Sequence, residues 1–372
     1  MKIARHLGTN QEALLFLAFE NRTLQHGGRH RSEQLEEIFA GAGWTLEDLP
    51  DLRPGQRLLT LLWGIAACLR VFFFRPFGIE TLRGAGVEYY RLTRTLRAHP
   101  RIKVLVVEGT GGTSLLMVPI ARRHGIRVLV VPQNIESLAP YDWFTHRLEK
   151  SARFRQETRL LQRVDGAFCI STEEEWLLRL FDVPAFYLPY RPPREIAQRL
   201  LALRERRRAS VKSGFLVLGT ASNQPTLKGL RALYRMLTQE MSDLPVTIHI
   251  AGRDTETLRG EFSDPRVVLH GTVSDAALDE LMVQATGLLV MQAPTTGFLT
   301  RVVEACYAGV PIIGNADAVK GWRELSGVHA FYRAGDLERL LAAPLSEPAV
   351  PPAPSTEIGG FQRALQALDL GL

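Results

Sequence analysis

Short apolar runs alternate with helical patterns twice along this chain, and that rhythm constrains the fold more than any single motif. In the first round ALLFLAF (13–19), KVLVVEG (103–109), RVLVVPQ (127–133) and AFCIS (167–171) read as buried strands, because continuous apolar runs of this length suit strands covered on both faces. Between them lie the helical patterns SEQLEEIFAGAG, with Ser32 as N-cap, YYRLTRTLRAHP ending at Pro100, SLLMVPIARRHG closed by Gly125, and a long basic amphipathic run ending before AFCIS. Ser171 or Thr172 then caps TEEEWLLRLF, whose acids suit the first turn of a helix. Pro184, Pro189, Pro192 and Pro193 mark a change of domain. The second round places strands at GFLVLGT, VTIHIAG, VVLHGTV, GLLVMQAP and PIIGN, with helices at LKGLRALYRMLTQEM and SDAALDELMVQA. This predicts an α/β chain of two Rossmann-like domains, parallel sheets facing a central cleft, with ligands beyond the carboxyl ends of the strands. The expected boundaries are 1–190, 191–345, and a Pro-rich link with a C-terminal helix over 346–372 that packs back on the first domain.

Residues 293–311, APTTGFLTRVVEACYAGVP, follow one of the second-round strands. Thr295, Thr296, Gly297 and Phe298 form a glycine-containing loop that enters a short helical pattern with one acid, Glu304; Gly309 ends it and Pro311 opens the next strand. A helix N-terminus behind a glycine loop presents unpaired N–H groups and the positive end of the helix dipole, which favour phosphate. A carboxylate one turn in accepts hydrogen bonds from a sugar or ribose hydroxyl pair. Read alone, the segment fits equally an ordinary strand–loop–helix unit with a solvated Glu304.

Two first-round segments have similar character. In HGGRHR (26–31), Gly27 and Gly28 permit close backbone approach, and Arg29 and Arg31 offer charge to a phosphate; a basic surface turn is the other reading. GTGGT (109–113) follows Glu108 and lacks the lysine of a P-loop, which sets an NTPase aside. Glu108 either orients an acceptor hydroxyl or is structural. The run RLLALRERRRASVKSG reads as a helix with a solvated basic face, and secondarily as an anion-binding patch.

The net charge of +6 over 372 residues, mostly an excess of arginine, points to an anionic partner, either a phosphorylated ligand or an acidic membrane surface. No nucleic-acid motif or aromatic–basic repeat is present, so no nucleic-acid partner is expected. Nine histidines show no HExxH or HxxH spacing, so no metal site is expected, and no GxSxG turn occurs. Cys68, Cys169 and Cys306 are far apart and form no CxxC pair, as expected of free thiols in a reducing compartment. The N-terminus shows a strand-like apolar run without a small-residue cleavage site, so a cytoplasmic location is expected. Residues 58–74 carry one charge, Arg70, in 17 positions. They read as a core helix, as a segment lying in the membrane surface with Phe72, Phe73, Phe74 and Phe77 beside Arg70 and Arg75, or as a short span. The second reading makes 58–77 a contact with an anionic membrane and the protein peripheral on its inner face.

The ordered pieces GFLVLGTASNQPTLKGL, VTIHIAGR, VVLHGTVSDAALDELMVQATGLLVMQAP and GFLTRVVEACYAGVPIIGN resemble the donor domain of a GT-B glycosyltransferase, closest to glycosyltransferase family 4. VVPQNIES resembles that family's HN-type strand end, and ETRLLQRVDGAFCISTEEEWLL its helix, strand and serine turn before the linker. The resemblance covers roughly residues 100–325 and is strongest over 267–314.

The family has two glutamates separated by seven residues. Here Glu304 stands at the second, which binds the nucleotide ribose, and Thr296 at the first, so the acid that contacts the donor sugar is missing. The resemblance assigns that work to a hydroxyl or to the loop backbone, and donor binding to Thr296, Gly297, Phe298, Leu299, Thr300 and Glu304, with Asn223, Gly28 and Arg29. Of the family's basic pair, Lys228 is the lysine or a plain surface residue. The arginine's place falls near Thr220, and Arg301 substitutes from the loop. Lys228, Arg301 and Glu108 are the residues assigned to catalysis. The implied activity is a retaining, metal-independent hexosyl transfer (EC 2.4) from a nucleotide-diphosphate sugar, a substrate rather than a cofactor, to a hydroxyl acceptor; the basic first half and the 58–74 segment point to a glycan or lipid-linked acceptor at a membrane, as in bacterial surface polysaccharide or glycolipid assembly. The alternatives are a catalytically silent GT-B homologue acting as a binding or scaffold partner, and a nucleotide-sugar epimerase.

Overall fold

The computed structural model describes residues 2–6, 13–17, 27–48, 62, 79–111, 114–139 and 147–369. The candidate membrane segment 58–77, apart from an exposed Leu62, lies outside the described residues, as do His26, Cys68, Gly112 and Thr113. Among the described residues, no helix is long and apolar enough to cross a membrane.

Two sheets organise the chain. The first contains β1 (Lys2–His6), β2 (Ala13–Leu17), β3 (Trp44–Asp48), β4 (Ile102–Glu108), β5 (Arg127–Val131), β6 (Gly166–Cys169) and β7 (Ala185–Tyr187), in the order β3-β1-β2-β4-β5-β6-β7. From β2 to β7 all neighbours are parallel. β1 runs antiparallel to both β2 and β3, an edge that the alternation of the sequence did not announce. β1 carries Lys2 and Arg5 and β3 carries Glu47 and Asp48, so neither has the continuous apolar run of a central strand.

The second sheet contains β8 (Phe215–Leu218), β9 (Ile248–Ala251), β10 (Val267–Gly271), β11 (Gly287–Val290), β12 (Ile312–Asn315) and β13 (Val328–Phe331). Its order is β10-β9-β8-β11-β12-β13 and every pairing is parallel. The strand order reverses between β8 and β11, and in such sheets ligands lie at that switch point.

Alternating side chains feed a core on each face of each sheet. On β4, Val104 and Val106 face one cluster and Leu105 and Val107 the other. On β11, Leu288 and Val290 face one side and Leu289 the opposite one. Each fully buried aliphatic of this kind contributes ~1.5–3 kcal/mol. The helices that cover the first sheet are α1 (Gly27–Gly41), α2 (Ile79–Ala98), α3 (Met117–Arg123), α4 (Arg147–Leu161) and α5 (Thr172–Leu180). The link between the sheets contains α6 (Arg194–Arg208). The second sheet carries α7 (Gln224–Gln239), α8 (Asp275–Gln284), α9 (Thr300–Tyr307) and α10 (Ala334–Ala342), and α11 (Ser355–Asp369) ends the described chain. Phe361 of α11 is fully buried against Phe39 of α1 and Phe168 of β6, so the C-terminal helix completes the core of the first sheet.

Two local expectations change. Helix α1 begins at Gly27, so Ser32 lies inside it and is not its cap; the Ser32 hydroxyl donates instead to Glu108 Oε2 at 2.7 Å. Helix α6 does not present a wholly solvated basic face. Arg204 and Arg207 are buried, and they donate to Cys306 O at 2.9 Å and Gly309 O at 3.1 Å, with Arg207 also reaching Met282 O and Val283 O. These carbonyls end α9 and α8, where a cation meets the negative end of the helix dipole. Ser171, Asn223 and Ser274 do cap their helices, accepting from Glu174, Thr226 and Ala277 N–H respectively.

Candidate functional site

The carboxyl ends of the two sheets meet across a cavity of about 370 Å³. One wall is the loop from β11 into α9 (Thr295 to Leu299) with Arg301; the facing wall includes Gly28 at the start of α1 and Gln133, Asn134 and Glu136 after β5. Pro225 and Thr226 at the start of α7, with Asn223 and Thr220 before it, close one end, and Asp317, Ala318 and Lys320 after β12 another.

Local sequence explains this shape. Gly297 has φ +80°, and a Cβ there would run into Asn134 Oδ1 and come within 2.7 Å of Gln133 O, so only glycine lets the loop touch the facing wall. Gly229 has a similar role one layer back: a Cβ would overlap Met291 O, so the glycine lets α7 press against the exit of β11. At the N-terminus of α9, Leu299 provides no side-chain cap, which leaves first-turn amides for an anion.

Four hydrogen bonds tie the β11–α9 segment to the first domain. The Gly297 N–H donates to Glu174 Oε1 at 2.8 Å, the Thr296 hydroxyl donates to Ile135 O at 3.1 Å, and Glu304 Oε1 bonds both His30 Nδ1 and Tyr190 Oη at 2.7 Å. Burial pushes the Glu174 carboxyl up to about 7, against hydrogen bonds from the Gly297 and Ile135 N–H groups and the charge of Lys320. Its Oε2 is buried without a hydrogen-bond partner. Burial lowers the His30 pKa, but the Glu304 hydrogen bond and charge outweigh it, and the net shift is upward from 6.5. For Glu304 burial acts upward, yet His30 and Tyr190 hold the carboxylate below its usual 4.5.

Charge in the cavity is cationic on the second-sheet side. Arg301 donates to Gln292 Oε1 at 3.1 Å, while its Nε is buried without a partner. Burial lowers its pKa to about 10, which leaves it charged at neutral pH. Lys320 donates to Thr295 O at 2.7 Å and so braces the same loop.

No protein-family model matches the chain, and no curated protein matches it by sequence. Solved structures do match it. Sucrose-phosphate synthase from Thermosynechococcus elongatus aligns with a TM-score of 0.60 at 13% identity, over 96% of this chain and 94% of that one. Alr3699/HepE of Anabaena in complex with UDP aligns with a TM-score of 0.51 at 13% identity, over 86% of this chain and 93% of that one. The fold is GT-B.

In this GT-B frame the residues singled out in the sequence fall into three groups. Gly28, Asn223, Thr296, Gly297, Phe298, Leu299 and Arg301 line the cavity together, and Thr300 opens α9 between the last two. Glu304 sits one turn into α9, outside the residues that line the cavity, held by His30 and Tyr190, with its side chain 19% exposed. Lys228, Arg29, Arg31 and Glu108 are not among the residues lining the cavity. Lys228 is exposed on the second turn of α7, because Asn223 starts that helix five residues earlier. Arg29 pairs with Glu33 at 2.8 Å along α1. Arg31 is fully buried and donates to Gln34 and to the carbonyls of Leu188 and Pro189, so it holds the linker and offers nothing to a phosphate. Glu108 is 1% exposed, and its two oxygens accept from Ser32 and Gln133, so it positions the wall instead of meeting an acceptor. Thr110 and Gly111 of the GTGGT run likewise brace that wall, against Asn134 O and Glu136.

Sequence reasoning missed His30, Tyr190, Glu174, Glu136 and Lys320. The first two become visible only when the domains meet. Glu174 reads as a helix-dipole acid in TEEE, although its position three residues after the Ser171 cap turns it inward. Cys169 and Cys306 are buried free thiols, and burial pushes Cys306 up to about 12. Among the described residues no group of His, Cys, Asp and Glu could hold a metal ion.

Proposed function

We propose that this chain is a glycosyltransferase that moves a sugar from a nucleotide-diphosphate donor to a hydroxyl acceptor. The observation that carries the reading is the uncapped N-terminus of α9, behind the Gly297 loop and beside Arg301 and Lys320, opening into a cavity between two GT-B sheets. When the bond from the anomeric carbon to the diphosphate oxygen breaks, negative charge builds on that oxygen. The uncapped start of α9 with its dipole, and the cations Arg301 and Lys320 in the cavity lining, would stabilise that charge, and such prearranged groups act without reorganising. Arg301 and Lys320 take the part of the family's basic pair, and Lys228 contributes at most at long range.

Glu304 Oε1 is engaged by His30 and Tyr190, and Oε2 carries no hydrogen bond among the described residues, so Oε2 is the acceptor for a ribose hydroxyl. That HepE is found with UDP supports a nucleoside diphosphate as the leaving group. Retention of configuration, metal independence and hexosyl specificity are finer parts of the proposal that rest on the family resemblance, and a glycan or lipid-linked acceptor at the cytoplasmic face of a membrane rests on the basic first half and the apolar segment 58–77 of the sequence.

A thermal-shift panel of nucleoside diphosphates and nucleotide sugars tests it, because a ligand bound only by the folded state raises stability by about 2.7 kcal/mol at a hundredfold over its Kd. Ligands that stabilise the parent should fail to stabilise Glu304→Ala to the same extent, and donor turnover should fall with them. A parent that responds to no nucleotide sinks the proposal. A parent that interconverts donor sugars without any acceptor is an epimerase, and one that binds donors without turnover is a binding homologue.

A further inference from the structure

The β11–α9 loop lacks the acid that the resembled family places there for a sugar hydroxyl, since position 296 is threonine and its hydroxyl is spent on Ile135 O at 3.1 Å. The facing wall supplies one at the same place. Glu136 directly follows Ile135 and lines the same cavity as Thr296. Asn134, whose Oδ1 lies where a Cβ on Gly297 would stand, donates from Nδ2 to Glu136 Oε1 at 2.9 Å. The segment 134–136 is therefore packed against 296–297, and its carboxylate is held by a side chain that touches the loop.

The backbone beneath that carboxylate is fixed. The buried Glu157 accepts from Glu136 N–H and Ser137 N–H at 3.0 Å each, and also from the Ser137 hydroxyl. Thr110 Oγ1 lies 3.4 Å from Glu136 N, and the Glu136 Cγ packs on Gly111. Glu136 Oε2 has no hydrogen bond among the described residues. A fixed carboxylate with a spare oxygen, facing a cavity whose cations lie on the other wall, accepts hydroxyl protons of a neutral polyol in charge-assisted hydrogen bonds.

We propose that Glu136 is the residue that holds the hydroxyls of the donor's transferred sugar, delivered from the first domain in place of the acid absent at Thr296. The assignment rests on the cavity taking a nucleotide sugar. It makes the sugar site a joint product of both domains, so a donor is gripped by its nucleotide on one side and its sugar on the other.

Titration calorimetry of the full chain tests this, with UDP, GDP and ADP against UDP-glucose, GDP-mannose and ADP-glucose. For the base that the parent prefers, Glu136→Gln should bind the free diphosphate within about twofold of the parent and lose at least about tenfold in affinity for, or turnover of, the nucleotide sugar, as expected when a charged hydrogen bond is lost. Adding Thr296→Glu to Glu136→Gln should restore part of the loss by returning an acid to the family's position. Asp317→Asn, the other acid lining the cavity, serves as the control and should not reproduce the selective loss. Equal sugar binding by parent and Glu136→Gln overturns the assignment while leaving the nucleotide reading intact. So does an equal loss of the free diphosphate, which would make Glu136 a support of the wall, and so does a selective loss that appears at Asp317 instead. A parent that binds none of the three diphosphates removes the nucleotide reading itself.

Discussion

The Glu174 carboxylate accepts the Gly297 N–H at 2.8 Å and thereby pins the phosphate-loop candidate of one domain to a helix start of the other. Burial raises the Glu174 pKa from 4.5 to about 7. A carboxyl with a raised native pKa binds its proton more tightly folded than unfolded, so its contribution to stability falls as pH rises from 4.5 towards about 7. The steepest slope for one group is about 1.4 kcal/mol per pH unit. Glu174→Gln keeps an acceptor for Gly297 and removes the titration. Urea unfolding of the two proteins between those pH values should show the parent losing stability relative to the variant as pH rises; parallel curves would place the carboxyl's pKa near its ordinary value.

His30 and Glu304 shift in the directions that favour a charged pair across the cleft. The His30 contribution is fully present below 6.5 and is lost as pH rises through its raised folded value. The Glu304 contribution is present above 4.5 and is lost as pH falls through its lowered folded value. The stability difference between parent and His30→Gln should therefore be largest between pH 4.5 and 6.5 and shrink on either side. A charge-assisted bond of this kind is worth ~1.5–3 kcal/mol, with the lower end expected because both side chains are about one-fifth exposed. Tyr190→Phe removes the other bond to Glu304 and should destabilise at every pH in that range. Denaturation midpoints across pH decide both points.

The sequence offers Lys228 as the family's lysine and Arg301 as a substitute for its arginine, and the two are unequal in space. Arg301 lines the cavity with a buried, unpartnered Nε, whereas Lys228 is exposed on α7 outside the lining. Arg301→Gln should weaken binding of the nucleoside diphosphate by about tenfold to a hundredfold, the usual range for a charged hydrogen bond, while Lys228→Ala stays within about twofold because an exposed charge is screened by solvent. Direct titration with UDP or GDP, whichever stabilises the parent, distinguishes the two. The reverse ranking would return the diphosphate to the start of α7.

What the sequence made legible follows from range along the chain. The buried parallel strands, the serine cap at Ser171, and the loop–helix unit around Gly297 are encoded by residues within a turn or two of each other, and local pattern shows them. The antiparallel pair β1 and β3 was hidden because its short strands carry charge and lack a central strand's pattern. Arg31 illustrates the other failure. Beside two glycines it reads as a phosphate ligand, but its role is set by the Leu188 and Pro189 carbonyls, far along the chain. His30, Tyr190 and Glu136 gain meaning only from partners supplied by tertiary packing.

The last helix carries its own test, separate from the cavity. Phe361 is 0% exposed, with ring centroids 4.6 Å from Phe168 and 6.0 Å from Phe39. It fills the same core face as Val104 and Val106 of β4. Phe361→Ala removes that area and leaves a void between three elements, for a cost of ~3–5 kcal/mol. The midpoint of chemical unfolding should drop accordingly, while the Kd for nucleoside diphosphate at low denaturant should stay within about twofold, because neither Phe361 nor its ring partners line the cavity. If nucleotide affinity fell in step with stability, α11 would instead be setting how the first domain presents Gly28 and Glu136 to the donor side.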